Sequence, residues 1–292
     1  MTVVADLHIH TSASDGLLSP AEIVRKAVSQ GLSAIAITDH DTIDGINAAL
    51  NTTKNALPEI IPGIELSTET DDREIHILGF YIDHTDPDLI ALLKILQESR
   101  FNRAEKAVKK LNSLGYLISL GDVLDFAGKA APGRLHIARA LVEKGYFPNL
   151  PAAFNDLLGY RMPGYVERFK LRPEEAIARI RSAGGLAAWA HPYLSGKDSL
   201  LTEFISYGLQ GLEVYHPEQN ASQSGHYRQL AKLNRLFICG GSDFHGSGAG
   251  HISSLANCGL NAGEYKDFLE NRLEMQQNSQ IVKKGVFWRK SN

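Results

Sequence analysis

The chain has 292 residues, of which 43% are hydrophobic and 22% charged, with a formal net charge of -3. This balance describes a folded protein with a large core and excludes a disordered or fibrous one. With no basic excess to neutralise many phosphates, a general duplex-DNA surface is excluded, and no apolar run approaches the roughly 18 residues of a membrane span.

The opening stretch, residues 1–10, turns polar within a few residues, so no secretory leader is expected. Short apolar runs bounded by Gly, Pro or polar residues predict strands at Thr2–Leu7, Ser33–Ile37, Ile60–Leu66, Glu74–Asp83, Gly185–Ala190, Gly211–Tyr215 and Leu236–Gly240. Ser19-Pro20-Ala21-Glu22 is a helix start, with Ser as N-cap, Pro at the first helical position and Glu closing a capping box. Helical spacing then runs over Ala21–Ser29 and stops at Gly31. Alternating strands and helices predict parallel strands joined by crossover helices, in a barrel or distorted barrel.

From Pro87 to Gly159 the pattern is helical (Leu89–Leu114, Ala138–Lys144, Ala152–Leu158), with little strand signal. We therefore expect a first barrel part at 1–86, a helical insertion at 87–160 and a second barrel part at 161–292. The two cysteines, Cys239 and Cys258, form neither a disulfide framework nor a metal pair, which fits a reducing compartment. Cys239 and Trp189 lie in apolar runs and read as core. A cytoplasmic protein without an obligate protein partner is the expectation.

Chemistry-bearing side chains fall at or beyond the strand ends, the face on which an α/β barrel carries its active site. His8 and His10 flank Ile9, so period-two alternation puts both imidazoles on one face. Asp15 follows in the next loop, His40 comes directly after the second strand, and Glu65 closes the third. His76 lies in the fourth strand, His191 precedes Pro192, and Asp243 and His245 flank Phe244. One zinc-like ion takes about four to six donors, so this set points to two or three divalent ions, with Glu65 as a natural bridge. A single His near a strand end is more often merely hydrogen-bonded, and His84, His136, His216, His226 and His251 are read that way or as substrate contacts.

The segments Asp6–His10, Thr38–Asp41, Gly63–Glu65, His76, His191-Pro192 and Ser242–His245 together resemble the PHP (polymerase and histidinol phosphatase) family. The match spans residues 1–84 and 185–246. The resemblance implies a distorted (β/α)7 barrel with a helical insertion and a site for manganese, with iron or zinc as alternatives. By this analogy His8, His10, Glu65 and Asp243 hold one ion, Glu65, His76 and His191 a second, and Asp15, His40 and His245 a third. Some members carry His where Asp15 stands. Arg134–Arg139, Gly164–Val166 and Gly211–Tyr215 are similar to the bacterial branch that includes nucleoside 3',5'-bisphosphate phosphatases and a 5'-to-3' exoribonuclease.

The expected activity is hydrolysis of phosphate esters in a small nucleotide or short RNA, by hydroxide that the ions generate near neutral pH. Asp15, Asp41 and His191 are the candidates for proton transfer. Arg134 and His136, then Arg103 and Arg161, are the candidates for gripping phosphate, since a guanidinium binds it bidentately. Tyr215 is placed to stack on a base. Asp6 and Asp39 are candidates to orient ligand imidazoles, whereas Arg168 and Lys170 read as surface. The alternatives are a metal-dependent amidohydrolase, a phosphatase of a non-nucleotide phosphomonoester, and a non-catalytic module that keeps its metals for stability. The first finds no lysine placed as a carboxylated bridge, and the intact ligand set argues against the last.

Overall fold

The computed structural model describes residues 2–53, 57–70, 73–167, 169, 171–246 and 254–274; Arg168, Lys170 and His251 lie outside them. Seven strands form one sheet in chain order: β1 (Ala5–Asp6), β2 (Ala34–Ile37), β3 (Glu59–Glu69), β4 (Glu74–Phe80), β5 (Leu186–Trp189), β6 (Gly211–Tyr215) and β7 (Phe237–Gly240). The sheet curls until its ends meet, with Leu7 N donating to Gly240 O at 3.1 Å and His10 N to Phe244 O at 3.0 Å. The result is the expected distorted (β/α)7 barrel.

One expectation fails. β4 runs antiparallel to both neighbours, while the other pairs are parallel. The cause is connection length: only residues 70–73 separate β3 from β4, whereas a parallel crossover needs a dozen or more. Because β4 starts where β3 ends, its first residues share the rim on which the parallel strands finish. His76, near the beginning of a strand, thereby joins side chains from strand ends. The first strand is also shorter than predicted: just before it, Val4 N donates to Leu260 O at 2.9 Å.

Alternation along the strands separates two apolar layers. Ala34, Ala36, Ile61, Leu78, Phe80, Ala188, Phe237 and Cys239 point inward, and Leu260 and Phe268 join them. Ile35, Ile37, Ile64, Ile77, Trp189, Leu212 and Val214 point outward against the surrounding helices. Those helices include α1 (Pro20–Ser29), α2 (Asp44–Thr53) and, later in the chain, the helix over Pro173–Ser182. The capping box of α1 forms as expected, with Ser19 N donating to Glu22 Oε2 at 2.8 Å and Glu22 N to Ser19 Oγ at 3.4 Å.

Between β4 and β5 come α3 (Pro87–Ser113), α4 (Leu120–Ala127), α5 (Arg134–Glu143), α6 (Leu150–Ala153) and a wider π-turn over Phe154–Leu158. They enclose their own core, which includes Leu111, Val123, Ile137, Leu141 and Leu157. α4 was not predicted, and α5 begins four residues earlier than its apolar pattern. Gly133 caps it, and the Gly133 amide donates to His136 Nδ1 at 3.0 Å. No helix among the described residues is long and apolar enough to cross a membrane.

Candidate metal centre

The inward columns of the barrel are apolar below and change character at the mouth. Two residues on from Ala36 and Thr38, the same parity reaches His40; from Ile61 and Gly63 it reaches Glu65. The reversed strand carries Phe80 and Leu78 inward and then His76, and Cys239 and Gly241 lead to Asp243. Period-two geometry on several strands thus delivers donors to one spot.

At that spot His8 Nε2 lies 3.2 Å from His10 Nε2, 3.2 Å from Glu65 Oε2 and 3.3 Å from Asp243 Oδ1. His10 Nε2 is 3.1 Å from both Glu65 Oε2 and Asp243 Oδ1. The second oxygen of Glu65, Oε1, faces His76 Nδ1 at 2.8 Å and His191 Nε2 at 3.0 Å, while His40 Nδ1 sits 3.1 Å from Oε2. Asp15 Oδ1 is 3.3 Å from His245 Nε2 and 3.8 Å from His10 Nδ1. All nine predicted donors are therefore gathered at one mouth, and both oxygens of Glu65 are engaged.

These contacts pass a test for divalent ions. Donors at 2.0–2.1 Å from one tetrahedral ion stand about 3.3 Å apart, the spacing found around His8. Three sets of donor atoms lie within 4.8 Å of one another: His8, His10, Glu65 and Asp243; His40, Glu65 and His76; and His10, Asp15, His40 and His245. His10 Nδ1, His40 Nδ1 and His76 Nε2 are buried and, though acidic oxygens stand near them, make no well-aligned hydrogen bond among the described residues. Buried polar atoms normally find partners, and divalent ions held by these sets would supply them.

The local charge follows the same logic. Burial alone would raise the Glu65 carboxyl, yet His40, His8 and His76 hold it well below its usual range. Burial opposes charging His10, but Asp243 and Glu65 push it up to about 10. Buried carboxylates this close require positive charge beside them.

Supporting contacts differ from expectation. Asp6 accepts from the backbone amides of Ser242 at 2.9 Å and Ala256 at 3.0 Å, and Asp39 from Thr11 N at 2.7 Å and Ser14 Oγ at 2.6 Å. Neither orients an imidazole; both pin loops. The orienting group is Glu213, which sequence reasoning missed. It is fully buried, its Oε1 lies 2.9 Å from His8 Nδ1, and its Oε2 accepts from His191 N at 2.6 Å. Its signal was a lone carboxylate in the apolar run Gly211–Tyr215. His216 is also drawn in, with Nε2 at 3.3 Å from Asp243 Oδ2 and Nδ1 at 3.2 Å from the Tyr193 hydroxyl. His84 and His226 stay on the surface, beside Asn47 and Asp198.

Above the donors opens a cleft of about 350 Å³. Its floor carries Asp15, His40, Glu65, His76, His191, Asp243 and His245, and its opposite wall, from the helical segment, carries Arg100, Arg103, Arg134, Leu150, Pro151 and Phe154. Arg134 pairs with Glu74 at 2.6 Å, and Arg103 Nε donates to Val166 O at 2.8 Å. Arg100, unforeseen in the sequence, binds Asp41 and also Ser67 Oγ at 3.1 Å.

Several expected residues lie elsewhere. Asp41 is fastened by Arg100 and by Ser67 N at 2.9 Å and does not line the cleft, so it is poorly placed for proton transfer. His136 is buried as a helix cap, and burial lowers it to about 4. It borders only a small hollow beside Asp15, His40 and Arg100. Tyr215 does not reach the cleft, because its hydroxyl bonds to Glu264 Oε1 at 2.5 Å and Arg228 lies 5.3 Å over its ring. Arg161 lines a neighbouring cavity instead. No lysine lines the cleft among the described residues, which leaves the lysine-bridged amidohydrolase reading unsupported.

Comparison with known proteins gives this geometry a relationship. The family model for the PHP domain matches residues 6–144. A 5'-3' exoribonuclease of Haemophilus influenzae is 38% identical over 253 residues, covering 84% of this chain and 91% of that protein. A 3',5'-nucleoside bisphosphate phosphatase of Chromobacterium violaceum is 32% identical over 252 residues, covering 84% and 88%. Among solved structures, a Bifidobacterium adolescentis protein assigned to the metal-dependent phosphoesterases superposes with a TM-score of 0.83 at 29% identity, over 91% of this chain and 96% of that one. Relatives named as phosphoester hydrolases, and a mouth fitted for divalent ions, agree with the barrel that carries them: the chain belongs to the PHP family and is a metal-dependent phosphoesterase.

Proposed function

We propose that this phosphoesterase acts on nucleotides, removing phosphate from a nucleoside 3',5'-bisphosphate or shortening RNA from an end. The observation that carries the reading is the cleft itself: a wall of three arginines faces a floor of metal-type donors across about 350 Å³, in the size range of small-molecule sites. A phosphate on the floor and a second on the arginines is the arrangement a bisphosphate or a chain terminus presents. Leu150, Pro151 and Phe154 add an apolar patch for a base or sugar face. The relatives' named substrates support the same choice.

His8, His10, Glu65 and Asp243 would hold one ion, Glu65, His76 and His191 a second, and Asp15, His40 and His245 a third, with manganese our first choice. Such ions supply Lewis-acid polarisation of a phosphoryl oxygen and acidify water. The chain does the rest. Arg100, Arg103 and Arg134 all line the cleft, and a guanidinium presents up to five donors, so this wall would anchor the phosphate that is not cleaved. Asp15 is kept ionised: burial would raise its carboxyl, but His245 and His40 hold it well below its usual range. It therefore serves as a ligand, not a proton donor. Glu213 fixes the His8 ring through Nδ1 and holds the His191 backbone, so both imidazoles keep their aim. Free thiols at Cys239 and Cys258 fit a cytoplasmic setting.

The test is phosphate release by the manganese-loaded protein from adenosine 3',5'-bisphosphate and short RNA, beside a non-nucleotide phosphomonoester. Release from the nucleotides that His191→Ala abolishes is expected. Turnover of the non-nucleotide ester alone would reject the nucleotide reading.

A further inference from the structure

A second cavity of about 520 Å³ lies against the cleft. The two share Glu74, His76, His191 and Leu194, so a ridge bearing two of the candidate metal ligands divides them. Its remaining walls combine cations with aromatic and apolar surface, chiefly Arg73, Tyr160, Arg161 and Trp189. We propose that this cavity is a subsite for a second nucleotide, so that the protein holds a single-stranded chain across the ridge with the scissile phosphate at His76 and His191. The inference rests on the nucleotide reading given above.

Three observations carry it. The first is position: a substrate ending at the reacting phosphate needs one cavity, whereas a chain continuing past it needs space on both sides of the ligand ridge. The second is chemistry. The Arg161 guanidinium lies 5.2 Å over the Tyr160 ring, and Tyr165 packs edge-on to that ring at 5.2 Å. Aromatic rings and guanidinium planes are the surfaces on which single-stranded bases stack, with cations beside them for the backbone. The third is backbone cost. Arg161 has φ 62, a region glycine occupies freely and a side-chain-bearing residue only at a cost. The turn by itself favours glycine, and Arg161 brings a cation to the cavity.

Glu74 adds selectivity. It pairs with Arg134 of the first cleft at 2.6 Å and lines both cavities, so a carboxylate stands at the crossing. A neutral stretch of sugar passes it more readily than a further phosphate. The subsite therefore favours a chain whose next phosphate lies beyond the ridge, towards Arg73 and Arg161.

The experiment compares adenosine 3',5'-bisphosphate with a 5'-phosphorylated trinucleotide of RNA, both with manganese, for the wild type, Tyr160→Ala and Arg161→Ala. Loss of one stacking or phosphate contact should raise KM for the trinucleotide about tenfold, while KM for the bisphosphate stays within about twofold. Unchanged bisphosphate turnover also shows that the variants are folded and loaded. Equal effects on both substrates, or none on the trinucleotide, would overturn the subsite, as would a wild type that cleaves the bisphosphate but not the trinucleotide; in each case the nucleotide reading survives. A wild type inactive on both substrates would remove that reading and the subsite with it.

Discussion

Arg134 and Glu213 are the residues whose removal separates substrate grip from metal holding. Arg134 lines the cleft but touches no metal-type donor set. Losing a charge-assisted bond costs about 1.5–3 kcal/mol, so Arg134→Ala should raise KM roughly ten- to hundredfold. Elemental analysis of that variant should show unchanged metal. Glu213 is the reverse case, fully buried and bound to the His8 ring but outside the cleft lining. Glu213→Gln should weaken metal affinity roughly ten- to hundredfold, read by titration of the metal-free protein; undiminished affinity would mean that the His8 ring does not depend on it. The donors were legible in the sequence because imidazoles and carboxylates at strand ends are chemically distinctive. Arg100 and Glu213 were not, because their partners lie 59 and 205 residues away. Tyr215 and Asp41 misled for the same reason, since their local setting gave no sign of Glu264 or Arg100.

At the scale of elements, the helical segment between β4 and β5 forms the cleft's second wall. Arg100 and Arg103 sit one turn apart on α3, and Arg134 opens α5, so helix packing sets the distance between arginines and barrel. Leu111 is fully buried in that segment's separate core. Leu111→Ala should cost about 2–5 kcal/mol and raise KM, while the metal content of the barrel holds; a loss of metal in parallel would show the two cores to be one cooperative unit. Apolar periodicity revealed α3 in advance. α4 escaped it because its eight residues are too few for a clear repeat, and its Ser119 and Asp122 capping pair was the available cue. The reversal of β4 was also readable in principle, from the four residues before it, had connection length been weighed against the alternating pattern.

For the whole molecule, the mouth couples stability to both metal and pH. Despite burial, Asp243 and Glu65 raise His10 to about 10, and Glu65 raises His76 to about 9, from an ordinary value of 6.5. Groups raised in the folded state stabilise it fully below the unfolded value and lose that contribution as pH climbs through the folded one. The metal-free protein should therefore lose thermal stability between about pH 6.5 and pH 10, measured as Tm in chelator. The manganese-loaded protein should keep its Tm over that window, because ions replace the protons that bridge imidazole and carboxylate. Equal slopes with and without metal would contradict this. Chelation at fixed pH should also lower Tm, by mass action.

The donors run from His8, beside the first strand, to His245, beyond the last. A polypeptide emerging from the ribosome consequently completes two of its three donor sets only when β7 and the residues after it are free to dock. An ion held by those two sets would latch first strand to last. Loading then reports a finished ring as much as it reports affinity.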